Sequence, residues 1–333
     1  MMICSDFDPD PPTYKTIMSV LSVVTPPVNL FAMFCILRKS PSQMGSYKWF
    51  LLAYQSTSTT FDFLLTVLVL PVVFFPIPMG YPDSAIARKL SFSANVALSA
   101  IVITVPVLTV CIVVLFLYRC HVIIPQQHVL KVNRKGQNSI ITTLLFIFCG
   151  PVILSLVWIS PDQVDARKSV LAEYSCAQSV IDAPRLHIYT ELSVRPLAYA
   201  GMAVAVLAAA VALSALLLSF YFLSRMNHLS QRTKHMQRRF LVNLCVQAAI
   251  PTFGLLIPLL IILKSKGFVL GQDAGNVTFC CMAAHGFTSP LSLIFCNDAY
   301  RAFALARLRF PCIYIKQKPV ASTSEQNIRR LPA

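Results

Sequence analysis

The sequence predicts an all-α membrane protein, a bundle of seven transmembrane helices with the N-terminus extracellular and the C-terminus cytoplasmic. Three observations lead there. Hydrophobic residues are 56% of the 333 and charged residues 12%, with mean hydropathy +0.67; a soluble domain carries about 25% charged residues. Seven long apolar windows follow one another, each able to supply the roughly 20 residues a helix needs to cross hydrocarbon. Basic residues collect in alternate connecting segments, the bias that orients spans.

The windows are 16–37, 49–75, 92–117, 140–159, 197–223, 240–263 and 276–297. Lipid offers the backbone no hydrogen-bond partners, so a spanning segment must be a helix or part of a closed barrel. Barrels are built from short alternating strands, and these continuous runs exclude them. Residues 1–15 are acidic and Pro-rich, without the basic start of a cleavable signal peptide. They form the expected extracellular N-terminus, 16–297 the bundle, and 298–333 a cytoplasmic tail with a short interfacial helix. The polar tail end is expected to be disordered.

With this topology 19 of the 28 Lys and Arg lie inside, among them Arg38, Lys39, Lys131, Arg134 and Arg225, while ten of the 13 acidic residues lie outside. The excess positive charge is spread over four short segments rather than one basic domain, which argues against a nucleic-acid partner. It suits the inner leaflet or an acidic cytosolic protein. The long outer loop, 160–195, carries Asp162, Asp165, Glu173, Asp182 and Glu191 and is expected to cover the bundle. Just before the sixth span, Met226, Leu229, Met236 and Phe240 recur at helical spacing, with Arg232, His235 and Arg239 on another face. That pattern reads as an interfacial anchor, a basic docking surface, or both.

Most of the eleven cysteines lie within spans, where a thiol is a small hydrophobe. Cys4 and Cys176 are in oxidising outer segments and are the candidate disulfide; Cys280 and Cys281 are weaker candidates. Cys120 and Cys312 are juxtamembrane, either palmitoylated or plain thiols. Prolines at 26, 27, 71, 106, 151, 251 and 258 interrupt the spans and permit kinks, with Pro251 and Pro258 expected to bend the outer sixth helix.

Ionisable groups inside spans are functional candidates by default. Two lie deep here, Asp62 in the second span and His285 in the seventh. Asp62 reads either as structural polar contact between helices or as a switch or ion site, and His285 as a packed residue or a ligand contact. Paired intramembrane charges, repeated interrupted helices, metal-ligand clusters and catalytic motifs are not found. A transporter, an enzyme, a metal and a cofactor are therefore not expected. A ligand pocket belongs between the outer halves of the helices. There the sequence offers Phe92, Asn95 and Ser99 on helix 3, Thr278 and Met282 on helix 7, and an apolar stretch over 253–263. No carboxylate lies on outer helix 3, so a buried ammonium would have no partner. The pocket suits a small, weakly polar molecule.

Six motifs in order then carry a resemblance. They are Pro27 with Cys35-Ile36; Lys39-Ser40-Pro41-x-x-Met44-x-x-x-Lys48-Trp49; Asp62; and Pro71-x-x-Phe74-Phe75-Pro76 with Gly80-Tyr81. The others are Ser230-x-x-Thr233-x-x-x-Gln237-x-x-Phe240 with Gln247-x-x-x-Pro251, and His285-Gly286 with Tyr300-Arg301. Over about residues 15–310 the chain resembles the nematode serpentine chemoreceptors of class H, in the Str-like group of seven-helix receptors. The resemblance implies an olfactory G-protein-coupled receptor in the plasma membrane of sensory neurons, in their cilia, whose partners are a small chemical cue, a heterotrimeric G protein and the bilayer. Arg119, Arg238 and Arg239 would line the cleft that engages the G protein.

The chain departs from the family at two points and differs from rhodopsin-like receptors generally at a third. Phe116-Leu117-Tyr118-Arg119 stands where the family has Phe-Glu-Asn-Arg, Ala299 stands where it has Pro, and helix 3 starts LSFSANVALS without the Cys used by rhodopsin-like receptors generally. Two alternatives remain open on the sequence. One is a seven-helix ligand-gated channel, whose N-terminus would lie inside. The other is a pseudo-receptor that no longer signals.

Overall fold

The computed structural model describes residues 7–75, 77–159, 161–183, 185–225, 230–263 and 271–309. Six of its helices are long and apolar enough to cross a membrane: α1 (Pro12–Lys39), α4 (Ala94–Ile123), α5 (Arg134–Val157), α7 (Glu191–Arg225), the run from α8 (Gln231–Pro251) into α9 (Ile257–Leu263), and α10 (Gln272–Cys296). The seventh span is α2 (Tyr47–Phe63), which continues as a π-helical segment, Leu64–Val69. It falls short of the others because Gln55, Asp62 and a run of Ser and Thr dilute its apolar side chains, and its α-helical part is only 17 residues. Short helices α3 (Ala85–Lys89) and α6 (Gln163–Glu173) lie in connections, and α11 (Asp298–Arg309) follows α10.

Large apolar side chains cover the outside of the bundle: Val23 in α1, Phe146 and Trp158 around α5, Val206 in α7, and Phe253 beside α8 are each about 70% exposed or more. Soluble proteins do not display such a continuous apolar surface; here it is the face that lipid covers. Inside, Phe61, Phe74, Phe148 and Tyr300 are fully buried. Chain direction alternates, so α1, α4, α7 and α10 begin on one face, here called the N-terminal face. The opposite face gathers Arg38, Lys39, Lys48, Arg119, Lys131, Arg134, Arg225, Arg239 and Arg301, because the connections from α1 to α2, α4 to α5 and α7 to α8 all return to that end.

The second span stops earlier than its apolar run. Leu70 takes a left-handed conformation (φ 49°), and Pro71–Val73 becomes strand β1 rather than a final helical turn. Proline has no N–H for the helix to use, and here it starts a strand. β1 pairs antiparallel with β2 (Met79–Pro82), which pairs with β3 (His187–Ile188) from the long loop. This three-stranded sheet roofs the N-terminal face. Deeper in the bundle, Pro251 is accommodated by widening the helix to a π-helical segment, Thr252–Leu256, before α9 resumes.

The chain's first described residues are fastened over this roof. Phe7 packs edge-on against Phe74 with ring centroids 5.7 Å apart. The Asp8 N–H donates to Gln272 Oε1 (2.9 Å), and Gln272 Nε2 donates back to the Asp8 carbonyl (2.7 Å). Tyr81 donates to the Pro9 carbonyl (2.6 Å), and Lys15 bridges Asp10 and Asp83. The Lys15 ammonium holds the Asp10 carboxyl below its usual value.

Candidate ligand cavity and opposite cleft

Under the roof lies a cavity of about 1220 Å³ between α4, α7, α8–α9 and α10. On α4 it is lined by Ala97, Ile101, Val105, Leu108 and Ile112, which recur every three or four residues on one face, and by Leu98, Val102, Pro106, Thr109 and Val113, which extend the lining to one side. Small residues of α7, including Gly201, Ala205 and Ala209, leave room opposite. The hydroxyls of Thr109 and Thr252, also in the wall, are spent on carbonyls of their own helices, Val105 (2.9 Å) and Ala248 (2.8 Å). The charged side chains in the lining, Glu173 and Arg195, sit at its N-terminal end. The deeper wall is apolar.

Of the pocket residues expected from sequence, Met282 lines this cavity. Asn95 shares the azimuth of Val102, Pro106 and Val113 on α4 and Ser99 lies at the margin of that arc, and neither is a lining residue. Phe92 precedes the helix, whose N-cap is Ser93, and Thr278 is buried with its hydroxyl on the Ala274 carbonyl (2.7 Å). These four are not among the lining residues. Helix α4 is apolar all round, so no amphipathic stripe marks which side faces inward.

Asp62 and His285 are both buried, and neither side chain has a hydrogen-bond partner among the described residues. Gln55 Nε2 donates to Asn29 Oδ1 (2.6 Å), and Tyr54 shares a 2.8 Å hydrogen bond with Ser289. With buried Thr25 and Ser58 these residues make a polar seam between α1, α2 and α10. Gly286 allows the seam to close: a Cβ placed there would overlap the Asp62 carboxyl group. Small residues at such crossings let transmembrane helices approach closely.

The opposite face holds a smaller cleft of about 310 Å³, lined by Tyr47, Arg119, Arg239, Phe240 and Asp298 among others. Arg119 is buried, with its guanidinium 3.7 Å from the Tyr47 ring centroid and 4.5 Å from that of Phe240. An arginine between aromatic faces is stabilised by the ring quadrupoles, more strongly when desolvated. Leu117 stands beside this arginine, and the rings of Tyr47 and Phe240 hold its guanidinium. Arg239 and Arg301 both donate to Asp298 Oδ1 (2.7 Å each), and Asn243 donates to the Cys296 carbonyl (2.6 Å), tying α8 to the end of α10. Arg238 is exposed and does not line the cleft.

Ala299 does not prevent a turn between α10 and α11. Asn297 is extended (φ −101°, ψ 116°), its side chain accepts the Ala299 N–H at 3.1 Å, and Tyr300 is buried with its hydroxyl 2.6 Å from Ser40. An asparagine cap thus ends one helix and starts the next without proline. Cys4 lies outside the described residues, as do Met226, Leu229, Cys312, the tail beyond α11 and the side chain of Cys176, so the Cys4–Cys176 pairing is outside them too. Among the described residues no group of His, Cys, Asp and Glu could hold a metal. The Tyr47–Arg119–Phe240 stack and the Asp298 bridge were not anticipated from the sequence. Their partners come from different helices, and no spacing along the chain marks them.

A family model described as serpentine type 7TM GPCR chemoreceptor Srh matches residues 9–310. Among curated proteins no significant match to the chain is found.

Proposed function

The chain belongs to the Srh family of serpentine seven-transmembrane chemoreceptors, and on that premise we propose that it is a G-protein-coupled receptor for a small uncharged molecule held in the cavity under the sheet roof. The family is not an enzyme family, and the protein is a multi-pass membrane protein. We place residues 1–15 outside the cell, the bundle over 16–297 and the tail from 298 in the cytoplasm. The collection of Lys and Arg at one end of the bundle supports that orientation. The plasma membrane of sensory cilia is the proposed location.

The observation that carries the reading is the pairing of two sites at opposite ends of the same helices. The apolar cavity and the Arg119 cleft are both walled by α4, α8 and α10 or their ends. A ligand that fits the cavity better when α8 moves would draw α8 from Asp298 and open the cleft to a G protein. A ligand shifts such an equilibrium only by its differential affinity for the two states. Within the cleft Arg119 and Arg239 are the proposed contacts, with Arg238 on the adjacent exposed surface. In the cavity Met282 is the proposed ligand contact, joined by the α4 face through Ile101.

Two expected outcomes test this. Ile101→Trp fills the cavity and should weaken the response to any compound that activates wild-type cells by about tenfold or more, since overpacking costs 1–3 kcal/mol. Asn95→Ala and Ser99→Ala, at positions that do not themselves line the cavity, should shift potency by less than about threefold, within the usual range for peripheral substitutions. Unchanged potency in Ile101→Trp at equal surface expression removes the cavity as the ligand site. Separately, Asp298→Ala frees Arg239 from α10–α11. The pair is half-exposed, so its loss is worth at most about 1 kcal/mol. Basal nucleotide exchange on a reconstituted G protein should rise up to roughly fivefold; a fall would contradict the restraining role.

A further inference from the structure

We infer that the ligand reaches the cavity sideways from the hydrocarbon of the bilayer, through a gap between α7 and α8, and is therefore an uncharged lipophile that partitions into membranes. This rests on the cavity being the ligand site. Three observations carry it.

First, the cavity wall is itself exposed at mid-bilayer depth. Ala209, about halfway along α7, and Thr252, at the π-helical widening after Pro251, both line the cavity and are both exposed. Nearer the roof, Tyr199 lines it and is 65% exposed. Among the described residues α7 packs chiefly on α4 and α5 and only slightly on α8, so the contact along this seam is thin. At this depth the outside is lipid. The lining residues these elements contribute here, Ala205 and Ala209 from α7 and Ala248 and Thr252 from α8 and the π-helical segment after it, are small.

Second, the roof is fastened. The sheet β1–β2–β3, Phe7 on Phe74, the paired Asp8–Gln272 hydrogen bonds and the Tyr81–Pro9 bond all tie segments distant in sequence over the cavity top. Where the cavity does approach the N-terminal face, it passes exposed Glu173 and Arg195, a charged margin that an apolar molecule gains nothing by crossing.

Third, the chemistry matches the route. The mid-depth wall is apolar, and its threonine hydroxyls are already bonded to their own helices. A molecule suited to that wall is concentrated in the bilayer, because each buried methylene favours hydrocarbon by roughly fourfold.

The test uses the full chain in phosphatidylcholine nanodiscs and azioctanol, an uncharged eight-carbon alcohol bearing a photoreactive diazirine. Wild-type protein should take adducts on the Ile101–Ile112 face of α4, read by mass spectrometry as an initial labelling rate. Closing the seam with Ala209→Trp and Thr252→Trp together should slow that labelling by about tenfold, Ala209→Leu should slow it less, and Glu173→Trp at the aqueous margin should leave it within about twofold. Equal labelling after closure overturns the inference. So does loss of labelling in Glu173→Trp, which assigns access to the aqueous side. Adducts confined to the seam, with none on α4, would make it a groove for a lipid acyl chain and also overturn it. A slowdown seen only in variants with lowered thermal stability counts against it as well. Failure of the underlying reading is distinguishable: Ile101→Trp would then leave signalling intact while the labelling results stand.

Discussion

Arg119→Ala is expected to abolish ligand-evoked activation of the G protein while leaving the receptor at the cell surface. Arg119 is buried at the end of α4 between the rings of Tyr47, which opens α2, and Phe240 on α8. Removing the side chain deletes a group that touches both helices across the cleft, and with it the cationic surface that a partner would meet once α8 moves. Stacking of a desolvated guanidinium on an aromatic face is worth about 2 kcal/mol. Losing it should not prevent folding, because the aromatic pair can close on the space and no buried charge is left behind. Arg119→Lys separates two roles. Lysine keeps the charge but lacks the planar guanidinium, so partial coupling with raised basal activity is expected. Phe240→Ala removes one ring and should likewise raise basal nucleotide exchange. Measurement of nucleotide exchange on a reconstituted G protein, at matched receptor density, decides the matter. Normal ligand-evoked exchange in Arg119→Ala would remove Arg119 from the coupling site and with it the assignment of the cleft.

Gly286→Ala should cost the protein its surface expression. The added methyl would occupy the space of the Asp62 carboxyl group, at a point where α10 crosses α2. Overpacking of a closed contact costs about 1–3 kcal/mol, occasionally more. Here the alternative to a shift of the whole helix is to force a buried carboxyl whose oxygens already have no partner. Asp62→Ala alone should be well tolerated, since deleting an unpaired buried polar group removes a desolvation cost rather than a bond. The double variant should recover much of the loss, an interaction energy of about 1–3 kcal/mol of the kind seen between touching residues. Surface expression and thermal unfolding of the detergent-solubilised protein give the cycle. A fully expressed, equally stable Gly286→Ala protein would show that α2 and α10 are not closed at this point. A strictly additive double variant would show that the cost of Gly286→Ala arises elsewhere.

How much of this could be read beforehand differs from element to element. The spans were legible because crossing hydrocarbon is a requirement on length and apolarity that each segment meets alone. The second span shows the limit of that argument: its apolar run continues to Phe75, but the helix stops at Val69 and Pro71 enters a sheet. That strand pairs with Met79–Pro82 just beyond it, which pairs in turn with His187–Ile188 in a loop more than a hundred residues away. No hydropathy window contains that pairing. The candidate pocket shows the same limit at finer scale. Asn95 and Ser99 stand out in the sequence by polarity in the outer half of helix 3, but neither is among the residues of α4 that line the cavity. For the cleft, Arg119 and Arg239 converge in space although Arg238 is the neighbour of one of them in the chain.

By itself the sequence determined the seven spans, the single end where positive charge collects, and membership of the Srh family, whose model covers residues 9–310. These properties are local or additive: the length of an apolar run, the sign of a loop, the order of short motifs. Only the tertiary structure decided the rotation of α4, the stacking of Arg119 between Tyr47 and Phe240, the contact of Gly286 with Asp62, and the seam between α7 and α8. The physical reason is that a helix apolar on all sides has no preferred face until its neighbours are packed. In lipid the hydrophobic effect does not choose one. Side-chain size does, through glycine and alanine where helices close or part, and through aromatic rings where a charge must be held without a counter-ion.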